Sequence, residues 1–214
     1  MTAESMSLVE LLKQAGYTMA PLYVCSVVGM AVFVRKFVEF ITAGVMKDGV
    51  LSSVEPLLKD GDLTLIETHC AKDGTPLGAT MAFAARALTE TPARVEEEVV
   101  RFSTGVIARY EAHLNVLAFV AQVAPLFGLL GTVIGMVDLF SGMEAAGQSV
   151  DQSTLSSGIW KALLTTAAGL LIAIPTIGGH SWLTSRVDVL RRHIEDGTGR
   201  IINRALGQGT AGGR

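Results

Sequence analysis

The residues best able to do chemistry in this chain lie on two apolar stretches. Ala121, Pro125, Gly128, Thr132 and Gly135 follow one another at steps of four, three, four and three, so on an α-helix they share one face of small side chains and a single hydroxyl. Gly131 and Gly135 add a small-xxx-small pair, and Gly158, Ala162, Thr166, Gly169 and Ala173 form a matching stripe farther along. In lipid, where water expulsion gives no drive, such faces let two backbones approach and pack. Two readings stand. The stripes are ordinary helix-packing seams, or they are a polar interior surface, built from many copies of the chain, against which another helix moves or ions pass. In the second reading Thr132 and Thr166 supply hydroxyls. Pro125 and Pro175 each lack a backbone N–H and permit kinks that free carbonyls.

Neither stretch holds a carboxylate or histidine at mid-membrane depth, so the chain has no titratable group with which to relay protons alone. Asp138 lies near the outer end of one stretch and Lys161 near the outer start of the other. They are candidates for an ion pair, within one subunit or between neighbours, or for simple anchors at the interface. No metal and no cofactor are expected, because His69 and Cys70 are the only adjacent His/Cys pair and no second ligand cluster accompanies them. The run from Gly128 to Gly135 lacks the Gly-Lys-Ser/Thr of a phosphate loop. His113 and His180 have no matching nucleophile or acid, so no enzyme is expected.

The elements that must position these residues are membrane helices. The chain has 214 residues, 50% hydrophobic and 17% charged, where a soluble domain carries about a quarter charged residues. Its net charge of −3 gives no basic footprint for nucleic acid. Charge-free windows of 21, 26 and 24 residues separate Lys13 from Arg35, Glu111 from Asp138, and Lys161 from Arg186. Each can span a bilayer at about 20 residues per crossing. The first is not a cleaved signal, since Arg35 and Lys36 follow the apolar run instead of preceding it.

The expected fold is all-α, a polytopic membrane protein with three transmembrane helices, the second and third long and extended into the cytoplasm, plus a cytoplasmic helical segment. Residues 1–16 form an outward-facing amphipathic helix on Leu8, Leu11, Leu12 and Ala15. Spans follow at 17–40, 112–141 and 157–185, with a short periplasmic loop at 142–156. The segment 41–111 and the tail 186–214 are rich in Lys and Arg, which places them in the cytoplasm and the N-terminus in the periplasm. Polar turns at Lys59–Asp62 and Lys72–Pro76 divide the middle segment, followed by a helical run from about Pro76 through Arg109. Glu96, Glu97 and Glu98 mark a solvated face. The tail stays helical through Val187, Leu190 and Ile194, frays near Gly197 and is disordered from Gly207 to Arg214. Cys25 in a span and Cys70 in the cytoplasm cannot meet and are packing residues.

The runs Ala124-Pro-Leu-Phe-Gly-Leu-Leu-Gly-Thr-Val-Ile-Gly-Met136 and Gly158-Ile-Trp-Lys-Ala-Leu-Leu-Thr-Thr-Ala-Ala-Gly-Leu170, with Ala173-Ile-Pro175, resemble the MotA/TolQ/ExbB proton-channel family. Chain length and layout are closest to its ExbB members, with TolQ next. The resemblance implies an inner-membrane motor driven by the proton motive force, in which a homopentamer surrounds a dimer of ExbD-like single-span partners whose transmembrane Asp carries the proton. It implies that Thr132 and Thr166 line the pathway and that Pro125, Gly128, Gly131, Gly135, Ala162, Gly169, Ala173 and Pro175 pack helices or face the partner. It further implies a TonB-like protein energised for outer-membrane transport. Some ExbB sequences carry Glu where this chain has Lys161, a cation that cannot serve as an acid. A TolQ-like role in outer-membrane maintenance and a passive channel or scaffold are the alternatives.

Overall fold

The computed structural model describes residues 19–45, 53–57, 62–146 and 152–211. Among them every regular element is helical: α1 (Ala20–Thr42), α2 (Leu63–Asp73), α3 (Pro76–Glu90), α4 (Val95–Glu111), α5 (Leu114–Ala146) and α6 (Gln152–Ala211). A short helical segment at 53–57 and a 3-10 turn at Pro92–Arg94 complete the path. The amphipathic helix expected over 1–16, and residues 59–61 of the first polar turn, lie outside the described residues. Two helical stretches, Pro92–Glu144 and Gln152–Ala205, are long and apolar enough to cross a membrane.

The chain divides into two compact units, Met1–Val34 with Asn115–Ser181, and Arg35–Leu114 with Trp182–Arg214. In the first, Met19, Leu22 and Cys25 of the α1 end pack with Val120, Ala124 and Ala173, and Phe127, Leu164, Ala168 and Ile172 close around them. Its outward surface is apolar, with Val24, Val27, Leu126, Leu129, Leu171 and Ile174 all more than half exposed. Burial inside the unit and exposure of large hydrophobics outside it is the pattern of a helix group solvated by lipid.

In the second unit the sequence sets the helix ends residue by residue. Asp62 caps α2, its carboxylate accepting from the backbone N–H of Thr64 at 3.0 Å and of Leu65 at 3.2 Å. Gly74 takes φ +68° past the end of α2, the left-handed conformation that closes a helix most cheaply with glycine. Thr75 then caps α3 through Gly78 N–H at 3.0 Å, and Pro76 occupies the first turn, where its missing N–H costs nothing. A Cβ at Gly78 would fall 2.7 Å from the Cys70 carbonyl, so this glycine is what lets α3 fold back closely on α2. Cys70 is fully buried there; burial, and secondarily Asp73, push its thiol up to about 11. α3 is buried along most of its length, from Pro76 to Leu88.

The continuous run expected from Pro76 through Arg109 is broken. Pro92 has no N–H to donate and forces Thr91 out of helical geometry, to φ −138° and ψ 59°, so α3 ends at Glu90 and α4 begins at Val95. Glu96, Glu97 and Glu98 consequently fall in the first turn of α4, where the helix dipole favours negative charge, and Glu98 accepts from the Thr91 hydroxyl at 3.0 Å. A second break separates α4 from α5 at Ala112-His113, where His113 adopts φ +68°.

The end of α4 meets α1 residues in this unit. Lys36, 2% exposed, donates to the Arg109 and Tyr110 carbonyls at 3.3 and 3.2 Å and pairs with Glu39 at 3.1 Å. Those carbonyls belong to the last turn of α4, which has no intrahelical donors left to satisfy it. Phe40 packs edge-on against Tyr110, with ring centroids 5.7 Å apart.

The tail departs from expectation in length. Leu183, Val187, Leu190, Ile194 and Ile201 form a buried stripe at helical spacing, Gly197 is buried, and Thr198 donates to the Ile194 carbonyl at 2.7 Å. Helix α6 does not fray at Gly197 but continues to Ala211 through most of the segment expected to be disordered; 212–214 lie outside the described residues. The continued apolar spacing outweighs the glycines. The expected loop at 142–156 is likewise shorter, since α5 runs to Ala146 and α6 starts at Gln152.

Candidate ion-pathway site

The site lies in the first unit, along the seam between α5 and α6. As residue numbers rise along α5 their partners fall along α6, so the helices are antiparallel. Cβ atoms built on the glycines show how close the backbones are. One on Gly169 would lie 2.7 Å from the Ala124 carbonyl and 3.1 Å from Gly128 Cα. Another on Gly128 would lie 3.0 Å from the Thr165 carbonyl and from Thr166 Cα. At Gly131 it would meet Thr165 Oγ1 at 2.6 Å, at Gly135 the Ala162 Cβ at 3.1 Å, and at Gly158 the Leu139 side chain at 2.5 Å. At Gly169 and Gly131 the opposing main chain and the branched Thr165 leave no room for a Cβ, and at Gly128 and Gly135 they leave little, as small-residue packing in lipid demands.

Gly128, Gly131, Gly135, Ala162, Thr166 and Gly169 are thus brought together as one intrachain seam. Ala173, 1% exposed, sits in the core beside Leu22 and Cys25. Pro125 is half-buried and Pro175 exposed, and both helices continue through their prolines. Each proline leaves the carbonyl four residues earlier, at Ala121 and at Leu171, without its helical donor.

The two hydroxyls differ. Thr132, half-buried, turns back to donate to the Leu129 carbonyl of its own helix at 2.7 Å. Thr166, also half-buried, donates across the seam to the Gly128 carbonyl at 3.1 Å. Both keep lone pairs free to accept. Asp138 and Lys161 are exposed, and no ion pair joins them within the chain. Among the described residues no group of three His, Cys, Asp or Glu side chains gathers where a metal could be held. His69 lies 3.2 Å from the Ser53 hydroxyl instead.

Sequence reasoning missed Thr165. It is 2% exposed, and its hydroxyl reaches the Ala162 carbonyl at 2.7 Å and the Gly128 carbonyl at 3.1 Å. The signal was present: Gly158, Ala162, Thr165 and Gly169 step by four, three and four, a tighter helical stripe than the one through Thr166. Lys36 was missed too, because a cation just past an apolar run reads as a flank.

The profile of the MotA/TolQ/ExbB proton channel family matches residues 77–196, more than half of the chain and all of this seam. The chain is similar to the biopolymer transport protein exbB1 of Vibrio cholerae, 30% identical over 85% of this chain and 81% of that protein. It is similar to the Tol-Pal system protein TolQ of Pseudomonas aeruginosa, 34% identical over 55% of this chain and 46% of that one. It also resembles the biopolymer transport protein ExbB of Helicobacter pylori, 40% identical over 36% of this chain and 53% of that protein.

Proposed function

We propose a function from one premise: the chain belongs to the MotA/TolQ/ExbB proton channel family. It is the housing subunit of an inner-membrane complex powered by the proton motive force. It crosses the membrane three times, with its N-terminus periplasmic and its tail cytoplasmic. Five copies surround a dimer of ExbD-like single-span chains, whose transmembrane Asp carries the proton past Thr166 and Thr132. The assembly energises a TonB-like protein for outer-membrane transport.

One observation carries this reading. Thr166 presents a hydroxyl, tied to the Gly128 carbonyl at 3.1 Å, on a helix pair whose charge-free runs contain no group able to titrate at depth. A proton crossing there needs an acid from another chain. The 23 residues of α1 support the third crossing, being about 35 Å long at 1.5 Å per residue and exposing Val24, Val27 and Met30. Asp138 and Lys161, which no ion pair joins to each other among the described residues, meet across neighbouring subunits in this arrangement. The similarity to TolQ supports a second reading, in which the same housing serves outer-membrane maintenance.

The test replaces Thr166 with Val, nearly isosteric but without the hydroxyl, in cells with no other copy of the chain. Assembly with the co-expressed partner, read by the mass of the purified complex, stays intact while energised uptake is abolished. Uptake at the wild-type rate with an intact outer membrane removes Thr166 from the mechanism. Leakage of the outer membrane with normal uptake selects the TolQ-like reading, and dissipation of a pH gradient by the chain alone in vesicles refutes both.

A further inference from the structure

Three donors converge on the Gly128 carbonyl oxygen. It is the helical acceptor for the residue-132 amide, and the hydroxyls of Thr165 and Thr166 each lie 3.1 Å from it. A carbonyl oxygen offers two lone pairs, so one hydroxyl must look elsewhere. Thr165 has an alternative, the Ala162 carbonyl at 2.7 Å; Thr166 has no second acceptor among the described residues. Thr165 is also closely confined. It is 2% exposed and wedged where a Cβ on Gly131 would come within 2.8 Å of its Cβ, so its hydroxyl rotates while its carbon atoms stay fixed.

We propose that Thr165 is a positioning residue whose hydroxyl, switching between the Ala162 and Gly128 carbonyls, lets Thr166 either accept from or donate to a carboxyl brought alongside by another chain. The inference rests on the function proposed above. With Thr165 on Ala162, Thr166 gives its hydrogen to Gly128 and turns its lone pairs outward, fit to accept from a protonated carboxyl. With Thr165 on Gly128, that carbonyl is satisfied without Thr166, whose hydrogen is released to an ionised carboxylate. No covalent bond changes; two hydroxyls rotate and each carbonyl keeps a donor. In the donating state Thr165 gives Gly128 the second donor that Thr166 gives up, and the Ala162 carbonyl keeps its helical N–H.

Few other charges face this point. On the parts of the packed helices that belong to the first unit, the titratable and charged groups are Lys161, one turn earlier on α6, and Asp138 and Glu144 on α5, all three exposed; Tyr23 and Cys25 on α1; and His180, fourteen positions beyond Thr166.

The test uses the complex of this chain with its co-expressed partner in vesicles, recording proton flux under an imposed potential as a function of pH. In Thr165→Val the hydroxyl is lost and the shape kept, so Thr166 stays on Gly128 and no longer stabilises the ionised carboxyl. The midpoint of the profile moves to higher pH by about one unit, the size of one hydrogen bond to a charged group. Thr165→Ser returns it to the wild-type position, and Thr165→Cys, a weak donor, falls between. A Thr165→Val complex of normal mass with an unshifted profile overturns the proposal. Should Thr165→Val not assemble, an unshifted Thr165→Cys overturns it equally. If Thr166→Val abolishes flux while Thr165 variants leave the midpoint in place, the switch alone fails; if Thr166→Val conducts normally, the pathway reading fails and takes the switch with it.

Discussion

Replacing Lys36 by Met removes a buried cation and keeps the length of the side chain. Three interactions go with it: hydrogen bonds to the Arg109 and Tyr110 carbonyls at 3.3 and 3.2 Å, and the ion pair with Glu39 at 3.1 Å. Each charge-assisted hydrogen bond is worth about 1.5 kcal/mol, and the last turn of α4 has no other donor for these oxygens. Breaking a fully buried pair costs about 3–5 kcal/mol because the surviving charge is stranded, but Glu39 is 27% exposed and recovers part of its hydration. Apolar contact by the Met side chain offsets a further part. The expected loss is about 2–3 kcal/mol, which for a chain of this size lowers the melting temperature by roughly 5–10 °C. The assay is the temperature at which the detergent-solubilised protein loses its monodisperse peak in size-exclusion chromatography. Glu39→Gln separates the two contributions: it leaves both carbonyl caps in place and costs under about 1 kcal/mol, as half-solvated pairs do. If Lys36→Met melts with the wild type, or Glu39→Gln is equally damaging, the capping argument is wrong.

Other outcomes follow from single residues. The Cys70 thiol stays unlabelled by maleimide until the protein is denatured. Its folded pKa, about 11, lies above the ordinary 9.0, so its contribution to stability is complete below about pH 9 and is lost as pH rises through about 11; denaturant midpoints of Cys70→Val lack this decline. Gly169→Ala forces a methyl against the Ala124 carbonyl and destabilises by about 1–3 kcal/mol. By contrast Gly105→Ala, with nothing within 4 Å, stabilises α4 by about 1 kcal/mol; equal melting shifts for the two would contradict the seam geometry. At His113, φ +68° favours glycine, so His113→Gly raises stability by about 1 kcal/mol and His113→Val lowers it, both read from thermal melts.

How far the sequence could be read depends on whether a signal is local. Gly74-Thr75-Pro76 announces a helix end, a cap and a first-turn proline in three adjacent letters, and the structure places all three in those roles. Thr91-Pro92 carries an equally local break, which hydrophobic spacing on either side disguised. The small-residue stripes were legible as helix faces because lipid leaves packing as the main constraint on them. Choosing between Thr165 and Thr166 was harder, since at 3.6 residues per turn both neighbours flank the same face and only the opposing backbone decides which one is buried. Lys36 and its carbonyl partners are more than seventy positions apart in sequence. Nor does any residue type near His113 announce a left-handed turn.

The near-contact of Ala124, Gly128 and Gly169 main chains has a mechanical corollary. With no flexible side chains between them to act as bearings, α5 cannot creep along α6: a shift of one position would drive a leucine into a peptide plane. The two helices therefore hold one register along this seam, as a single stave with greasy outer flanks.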